Sequence, residues 1–292
     1  MGRITKMARP AMRAASCKEA VSEISQKLRR RNRKAVIGRG STIQVVDRLA
    51  RVLEVFAASG RQMRVRDLAS TLGLRRSTAH RYLASLARAG FLRAEGEGSY
   101  ALGPLLIQLG AAAVGGVQVV EIAENYLARL AEEAQETAVL TLWSGNSPVV
   151  VRVREPQSKL VQLHIRLGAT LPLDSAQGHL YLAFHPDRQR VEQLLAQFPE
   201  AQRHELERGM AEARKFGVFV NSRVADGIRA VAAPVFDHEV IAGTIAFVGT
   251  LSSVPADRDS GLAQALKDGA QRLSRDLGRA REPVPTARSA SA

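Results

Sequence analysis

Cysteine is almost absent: Cys17 is the single one in 292 residues, so no intrachain disulfide and no cysteine-built zinc site can form. That usage fits a reducing compartment, and a cytoplasmic protein is expected. Aromatics are scarce as well, with one tryptophan (Trp143), four tyrosines and eight phenylalanines, which argues against a Trp/Phe-rich ribbon lying on a bilayer. No apolar run approaches the roughly 20 residues of a membrane span, and the basic N-terminus lacks the apolar stretch of a secretory signal. No membrane partner is therefore expected. The phosphate-loop pattern GxxxxGKS/T and the nucleophile elbow GxSxG are both missing. An apolar share of 46% is still enough for a real core, and the length suits two domains.

What the chain has in excess is positive charge, concentrated at one end. Residues 1–40 carry 12 Lys and Arg against 2 acids, residues 41–103 carry 10 against 5, and residues 104–292 carry 20 against 21. The whole net charge of +14 thus resides in the first 103 residues, which points to an anionic polymer as partner of that part alone. Binding DNA phosphates with Lys and Arg releases counterions, so double-stranded DNA is the expected partner. The run KLRRRNRK at residues 27–34 lies in a basic arm, residues 1–40, read as disordered or partly helical. The arm either holds DNA non-specifically or begins with an over-long start, with Met7 or Met12 as the true one.

Past Thr42 the pattern becomes helical. Val45, Val46, Leu49, Val52, Leu53 and Phe56 form a stripe that ends at Ser59-Gly60. Residues 64–88, RVRDLASTLGLRRSTAHRYLASLAR, then fit two short helices about a turn at Gly73. The first has Val65, Leu68, Ala69 and Leu72 on one face, and the second has Ala79, Tyr82, Leu83 and Leu86. Projected at about 100° per residue, Ser77, His80, Arg81, Ala84 and Arg88 fall on the other side. A helix opening with Arg75, Arg76, Ser77 and Thr78 puts cations and hydroxyls at the end whose N–H groups attract phosphate. That is the layout of a recognition helix in a major groove, and the bland alternative is a basic surface on a helical hairpin. DNA-contact candidates are Arg75, Arg76, Ser77, Thr78, His80 and Arg81. Arg76 and Arg81 either fork onto guanine or grip phosphate.

Two short strands, residues 91–93 and 99–102, flank an acidic tip with Glu95 and Glu97 and form a wing, on which Arg93 is the better phosphate contact. The apolar stretch PLLIQLGAAAVGG, residues 104–116, is expected to be a linker helix whose Leu105, Leu106 and Leu109 seek a partner surface, most simply a second copy of the chain. Gly115-Gly116 break it before a long amphipathic helix over 117–134. Strands are expected at 138–143, 149–153, 160–165, 228–236 and 241–249, with helices at 177–184, 187–197 (Asp187 as N-cap), 200–215 and 257–277. Paired strands with helices gathered between and after them imply an antiparallel sheet with helices on its faces.

These motifs carry a resemblance. GLRRSTAHRYLASLARAGFL (73–92), RLGATLPLDSAQGHLYLAF (166–184) and DGIRAVAAPVFD (226–237) resemble the best-marked segments of the IclR family of bacterial transcription regulators, over residues 42–280. The resemblance implies an α+β chain: a winged helix-turn-helix domain (41–103), a linker helix (104–117) and a GAF-like effector-binding and oligomerisation domain (118–280). The arm (1–40) and a flexible tail (281–292) lie outside it. It further implies a homodimer or homotetramer that controls a catabolic operon in response to a small metabolite. Carried over by position, the effector site has Ala176, Gln177 and Gly178 at a helix start, with Asn221, Ile228, Ala230, Ala246 and Val248 as its other walls. A helix N-terminus suits a carboxylate. Family members that bind small oxo-acids tend to have an Asp, a Cys and two Ser where this chain has Asn221, Ala230, Ala246 and Val248. Such walls are more apolar and favour an aromatic or longer-chain organic acid. Loss of ligand response is the alternative.

Other constellations carry less. Asp174, Ser175 and His179 invite a triad, but Ser175 and His179 are one turn apart and Ser175 serves equally as a helix cap. His164, His179 and His185 lack a metal-ligating spacing, so no metal or other cofactor is expected. Trp143 follows a strand and suits a core or pocket wall. The expectation is a sequence-specific DNA-binding regulator and not an enzyme. A non-specific nucleoid-type DNA binder and a metabolite-binding enzyme with a vestigial helix-turn-helix are the competing classes.

Overall fold

The computed structural model describes residues 43–59, 62–157, 163, 165–223 and 226–280. The basic arm, the tail and most of the strand expected at 160–165 lie outside these residues. Leu163 and Ile165 are described and are not in a strand. The chain divides into two compact units, Met1–Ala113 and Val114–Ala292.

In the first unit, α1 (Gln44–Ser59), α2 (Val65–Leu72) and α3 (Arg76–Arg88) accompany a three-stranded antiparallel sheet. Its strands are β1 (Met63–Arg64), β2 (Leu92–Ala94) and β3 (Ser99–Leu102), in the order β1-β3-β2. The tiny β1 is not marked by any alternation in the sequence. The helical faces meet as their spacing predicts: Val52, Val55, Phe56, Val65, Leu68, Ala69, Ala79, Leu83 and Leu86 are buried in one core with Leu92 and Tyr100. The start of the α1 stripe departs from expectation, since Val45 and Val46 are 53% and 59% exposed. These two residues are not part of the small core, whose contribution from α1 begins at Leu49 and Val52. Gly73 ends α2 with φ 65°, a left-handed backbone that costs glycine nothing. The Leu74 N–H closes the turn onto the Ala69 carbonyl at 2.9 Å.

Helix α4 (Pro104–Gly115) crosses the division between the units. It buries no residue, and Ile107 and Leu109 are 71% and 50% exposed.

The second unit is an antiparallel sheet of five strands, β4 (Thr137–Trp143), β5 (Pro148–Arg154), β6 (Phe219–Arg223), β7 (Ile228–Asp237) and β8 (Val240–Thr250), ordered β5-β4-β8-β7-β6. Side chains alternate between its faces. Leu140, Val231, Ala233, Ile245 and Phe247 face α5 (Gln118–Ala134) and α9 (Gly261–Ala280). Val139, Phe219, Ala232 and Ala246 face α6 (Ala176–Phe184), α7 (Arg188–Leu195) and α8 (Glu200–Phe216). Helices thus cover both faces, as the strand pattern implies. Asp187 caps α7 by accepting from the Arg190 N–H at 2.9 Å. By contrast, α9 starts at Gly261 and not at 257: Asp257 accepts from the Asp259 N–H, while Ser260 accepts from the Ala263 N–H and caps the helix. No single helix among the described residues is long and apolar enough to cross a membrane.

Leu83 is fully buried where α3 meets the small core. Leu83→Ala is expected to destabilise the first unit by about 2–5 kcal/mol, checked by chemical denaturation followed on a probe in that unit.

Candidate functional site

Helix α3 is held from behind. Ala79, Leu83 and Leu86 are buried, and Arg48 of α1 donates from Nη1 to the Tyr82 hydroxyl at 3.2 Å. The outward face carries Arg76, Ser77, His80, Arg81 and Arg88, all exposed, and Arg75 is exposed just before it; Thr78 is half-buried. No side chain caps the start of α3, so its first amides keep their capacity for an anion. Six of the seven candidate DNA contacts therefore cluster at one helix end. Arg93, the seventh, is on the wing, where its Nε donates to Glu95 Oε1 at 2.5 Å. This pairing inside the wing is not evident from a motif: Arg93 is in β2 and Glu95 stands just past its end.

The effector candidates come together on the second unit's sheet. Asn221, Ala230 and Val248 pair in one row across β6, β7 and β8, and Ala232 and Ala246 pair in the next. Ile228 pairs with Thr250 and Arg223. Ala176 belongs to the apolar cluster on this face, with Ala230 and Val248 packed against it. Ala176, Gln177 and Gly178 are all buried. The Asn221 amide donates to the Asp174 carbonyl, tying the edge strand β6 to the turn that starts α6. The Gly178 N–H donates to Ser175 Oγ at 3.1 Å, so one of the first-turn amides is already engaged. An open pocket of about 400 Å³ is lined by Val153, Arg154, Glu155, Ile165, Arg166 and Leu167. None of the eight effector candidates lines it. Two of its residues, Val153 and Ile165, nevertheless pack against the same cluster as Ala176.

The triad reading fails on geometry. Ser175 spends its hydroxyl on the cap, and His179 Nδ1 lies 2.8 Å from the Ser175 main-chain oxygen, not its Oγ. That carbonyl only accepts, so Nδ1 carries the proton. The His179 ring is buried and stacks on Phe219 with centroids 4.2 Å apart. It also lies against Gly209 of α8, where a Cβ would come within 2.2 Å of His179 Cδ2. Burial holds the His179 pKa below its ordinary value, against the opposing pull of the Ser175 carbonyl, Asp174 and Glu212. Trp143 is half-buried and packs at 5.3 Å from Tyr181. Among the described residues no group of three or more His, Cys, Asp or Glu could hold a metal ion.

Against known proteins, residues 45–96 match the IclR helix-turn-helix domain and residues 111–275 match the bacterial transcriptional regulator IclR C-terminal domain. The chain belongs to the IclR family. This IclR-family chain is 30% identical over 253 residues to the glycerol operon regulatory protein of Streptomyces griseus, covering 82% of the chain and 98% of that protein. A solved IclR-type transcriptional regulator from Alicyclobacillus acidocaldarius matches with a TM-score of 0.65 at 26% identity, over 81% of this chain and 100% of that one. A solved IclR homologue from Microbacterium hydrocarbonoxydans, complexed with 4-hydroxybenzoate, has the same fold, with a TM-score of 0.65 at 21% identity over 80% and 99% of the two chains. The family is one of DNA-binding transcription regulators and not of enzymes. For this IclR-family chain, sequence reasoning missed β6 as a strand and the Asn221 bond to Asp174.

Because burial holds the folded-state pKa of His179 below that of the unfolded chain, near 6.5, the unfolded chain takes up the proton first, so this stability is present above that pH and is lost as pH falls below it toward the folded-state value. The second unit is expected to melt at lower temperature at about pH 5.5 than at about pH 7.5. His179→Gln is expected to flatten that acid-side loss, measured as the slope of melting temperature against pH.

Proposed function

We propose that this regulator reads an operator with the N-terminal end of α3 and controls a catabolic operon in response to a small organic acid. The observation that carries the DNA half is the arrangement of α3: three buried apolar residues behind, and Arg75, Arg76, Ser77, His80 and Arg81 exposed at an uncapped helix start. A helix of 13 residues held on one face fits the major groove, and its N-terminal residues reach base edges. The reading assigns the seven candidates Arg75, Arg76, Ser77, Thr78, His80, Arg81 and Arg93 to DNA. A symmetric dimer places two such helices about 34 Å, or a multiple, apart. The exposed Ile107 and Leu109 of α4 supply an apolar surface for the second copy, and a tetramer extends the same scheme. DNA binding places the work of the protein in the cytoplasm.

For the effector, the proposed walls are Ala176, Gln177, Gly178, Asn221, Ile228, Ala230, Ala246 and Val248. The Ser175 cap leaves the amides of Ala176 and Gln177 as first-turn donors toward a carboxylate. Ala230, Ala246 and Val248 offer hydrocarbon alone, which suits an aromatic or longer-chain acid better than a small oxo-acid. The Microbacterium homologue is complexed with an acid of that kind, 4-hydroxybenzoate; at its level of identity it supports the fold, so the ligand class here rests on the wall chemistry.

The operator reading is tested by titrating the full chain with duplex from upstream of its own gene and with a scrambled duplex of equal length. A preference for the former is expected, and equal affinity would favour the non-specific binder instead. Arg81→Ala is expected to weaken operator binding by about 1–3 kcal/mol where it forks onto a base, and unchanged affinity removes it from the contacts. In a thermal-shift series of aromatic, long-chain and small oxo-acids, aromatic or long-chain acids are expected to raise the melting temperature. A shift with the oxo-acids alone would overturn the class.

A further inference from the structure

The wing contains an ion pair that the assignment of Arg93 to phosphate leaves unexplained. Strand β2 buries Leu92 and leaves Arg93 exposed, and the exposed Glu95 follows just past the end of the strand. Arg93 Nε and Glu95 Oε1 are 2.5 Å apart, with the two side chains 62% and 33% exposed. Glu95 is not on a loose tip: its N–H donates to the Ser99 carbonyl at 2.9 Å, and the Ser99 N–H donates to the Gly96 carbonyl at 2.8 Å. The hairpin therefore holds the carboxylate where the guanidinium meets it. Carboxylate and phosphate oxygens compete for the same planar fork. Glu95 takes the Nε–H of that fork and sets its negative charge beside the guanidinium, so Arg93 presents an ion pair to the DNA backbone and not an unopposed cation.

We propose that Glu95 is an internal substitute for phosphate that weakens the hold of Arg93 on duplex lacking the operator sequence, so that the wing contributes little to sequence-independent binding. This rests on the reading that α3 enters the groove with the wing beside it. The role makes physical sense in a unit that is rich in arginine, since every unopposed cation adds affinity for any duplex and none of it distinguishes one site from another. An exposed pair shifts an equilibrium by no more than about fivefold, so DNA displaces it where the remaining contacts are strong enough. Glu97, at the same tip, carries the same charge but no role in this pairing.

The test uses the full chain and the scrambled duplex, with Kd measured over a range of salt. Glu95→Gln is expected to tighten binding by about two- to fivefold and to steepen the salt dependence by close to one phosphate contact, a slope of about 0.9. In an Arg93→Ala background the gain from Glu95→Gln is expected to vanish, and Glu97→Gln is expected to give a smaller gain than Glu95→Gln. An equal gain with Arg93 removed, or an equal gain from Glu97→Gln, would show plain charge repulsion and overturn the proposal. These outcomes leave the operator reading standing, because it is judged by Arg81→Ala on the upstream duplex. Absence of any duplex binding by the unaltered chain would overturn both.

Discussion

Three side chains, Ala79, Leu83 and Leu86, fix which way α3 faces. The small core they enter also takes Phe56 from α1 and Leu68 from α2, and the Arg48–Tyr82 hydrogen bond adds a polar tie from α1. With the apolar face anchored against α1 and α2, rotation of α3 about its axis would expose hydrocarbon and bury arginine. Burial of a side chain as large as leucine is worth about 1.5–3 kcal/mol, and an unpaired charge taken from water costs more. The orientation of Arg76, His80 and Arg81 is thus a by-product of packing, decided before any DNA arrives.

The second unit solves a different problem with one sheet. Its five strands present hydrocarbon on both faces, and the alternation along each strand sorts residues between two separate cores. Larger side chains, such as Leu140, Ile245 and Phe247, go to the α5/α9 side. The opposite face carries a patch of alanines, Ala230, Ala232 and Ala246, beneath α6. In the proposed effector site, a smooth floor of that kind would leave specificity to the few polar groups at its margin, among them Asn221, Gln177 and the first-turn amides of α6.

How far the sequence led depended on how local the signal was. The paired helices and the wing were legible because apolar periodicity and Gly73 act over a few residues. The cap of α7 by Asp187 was legible for the same reason. Strand β6, FVNSR, was not: an edge strand whose second half is Asn-Ser-Arg lacks the apolar alternation that marks half-buried strands. The start of α9 was misplaced because two good capping residues, Asp257 and Ser260, stand one turn apart, and only geometry shows that the first closes a turn. The first turn of α1 carries the same apolar periodicity as the rest of the stripe, yet Val45 and Val46 are exposed, because periodicity alone does not show where packing partners stop. For the effector walls, composition alone gave nothing; the positions came from resemblance, and the register of β6, β7 and β8 shows that Asn221, Ala230 and Val248 stand in line.

The stacking of His179 has a mechanical meaning. Its ring lies between Phe219 of the edge strand and the backbone of α8, in the volume that a side chain at Gly209 would otherwise claim. Helix α6 is keyed to its surroundings like a cog between two racks: turning it either unstacks the imidazole or drives it into α8. A molecule that pushes on Ala176–Gly178, one residue away, cannot deform a loop in isolation. It has to shift strand, ring and helix together.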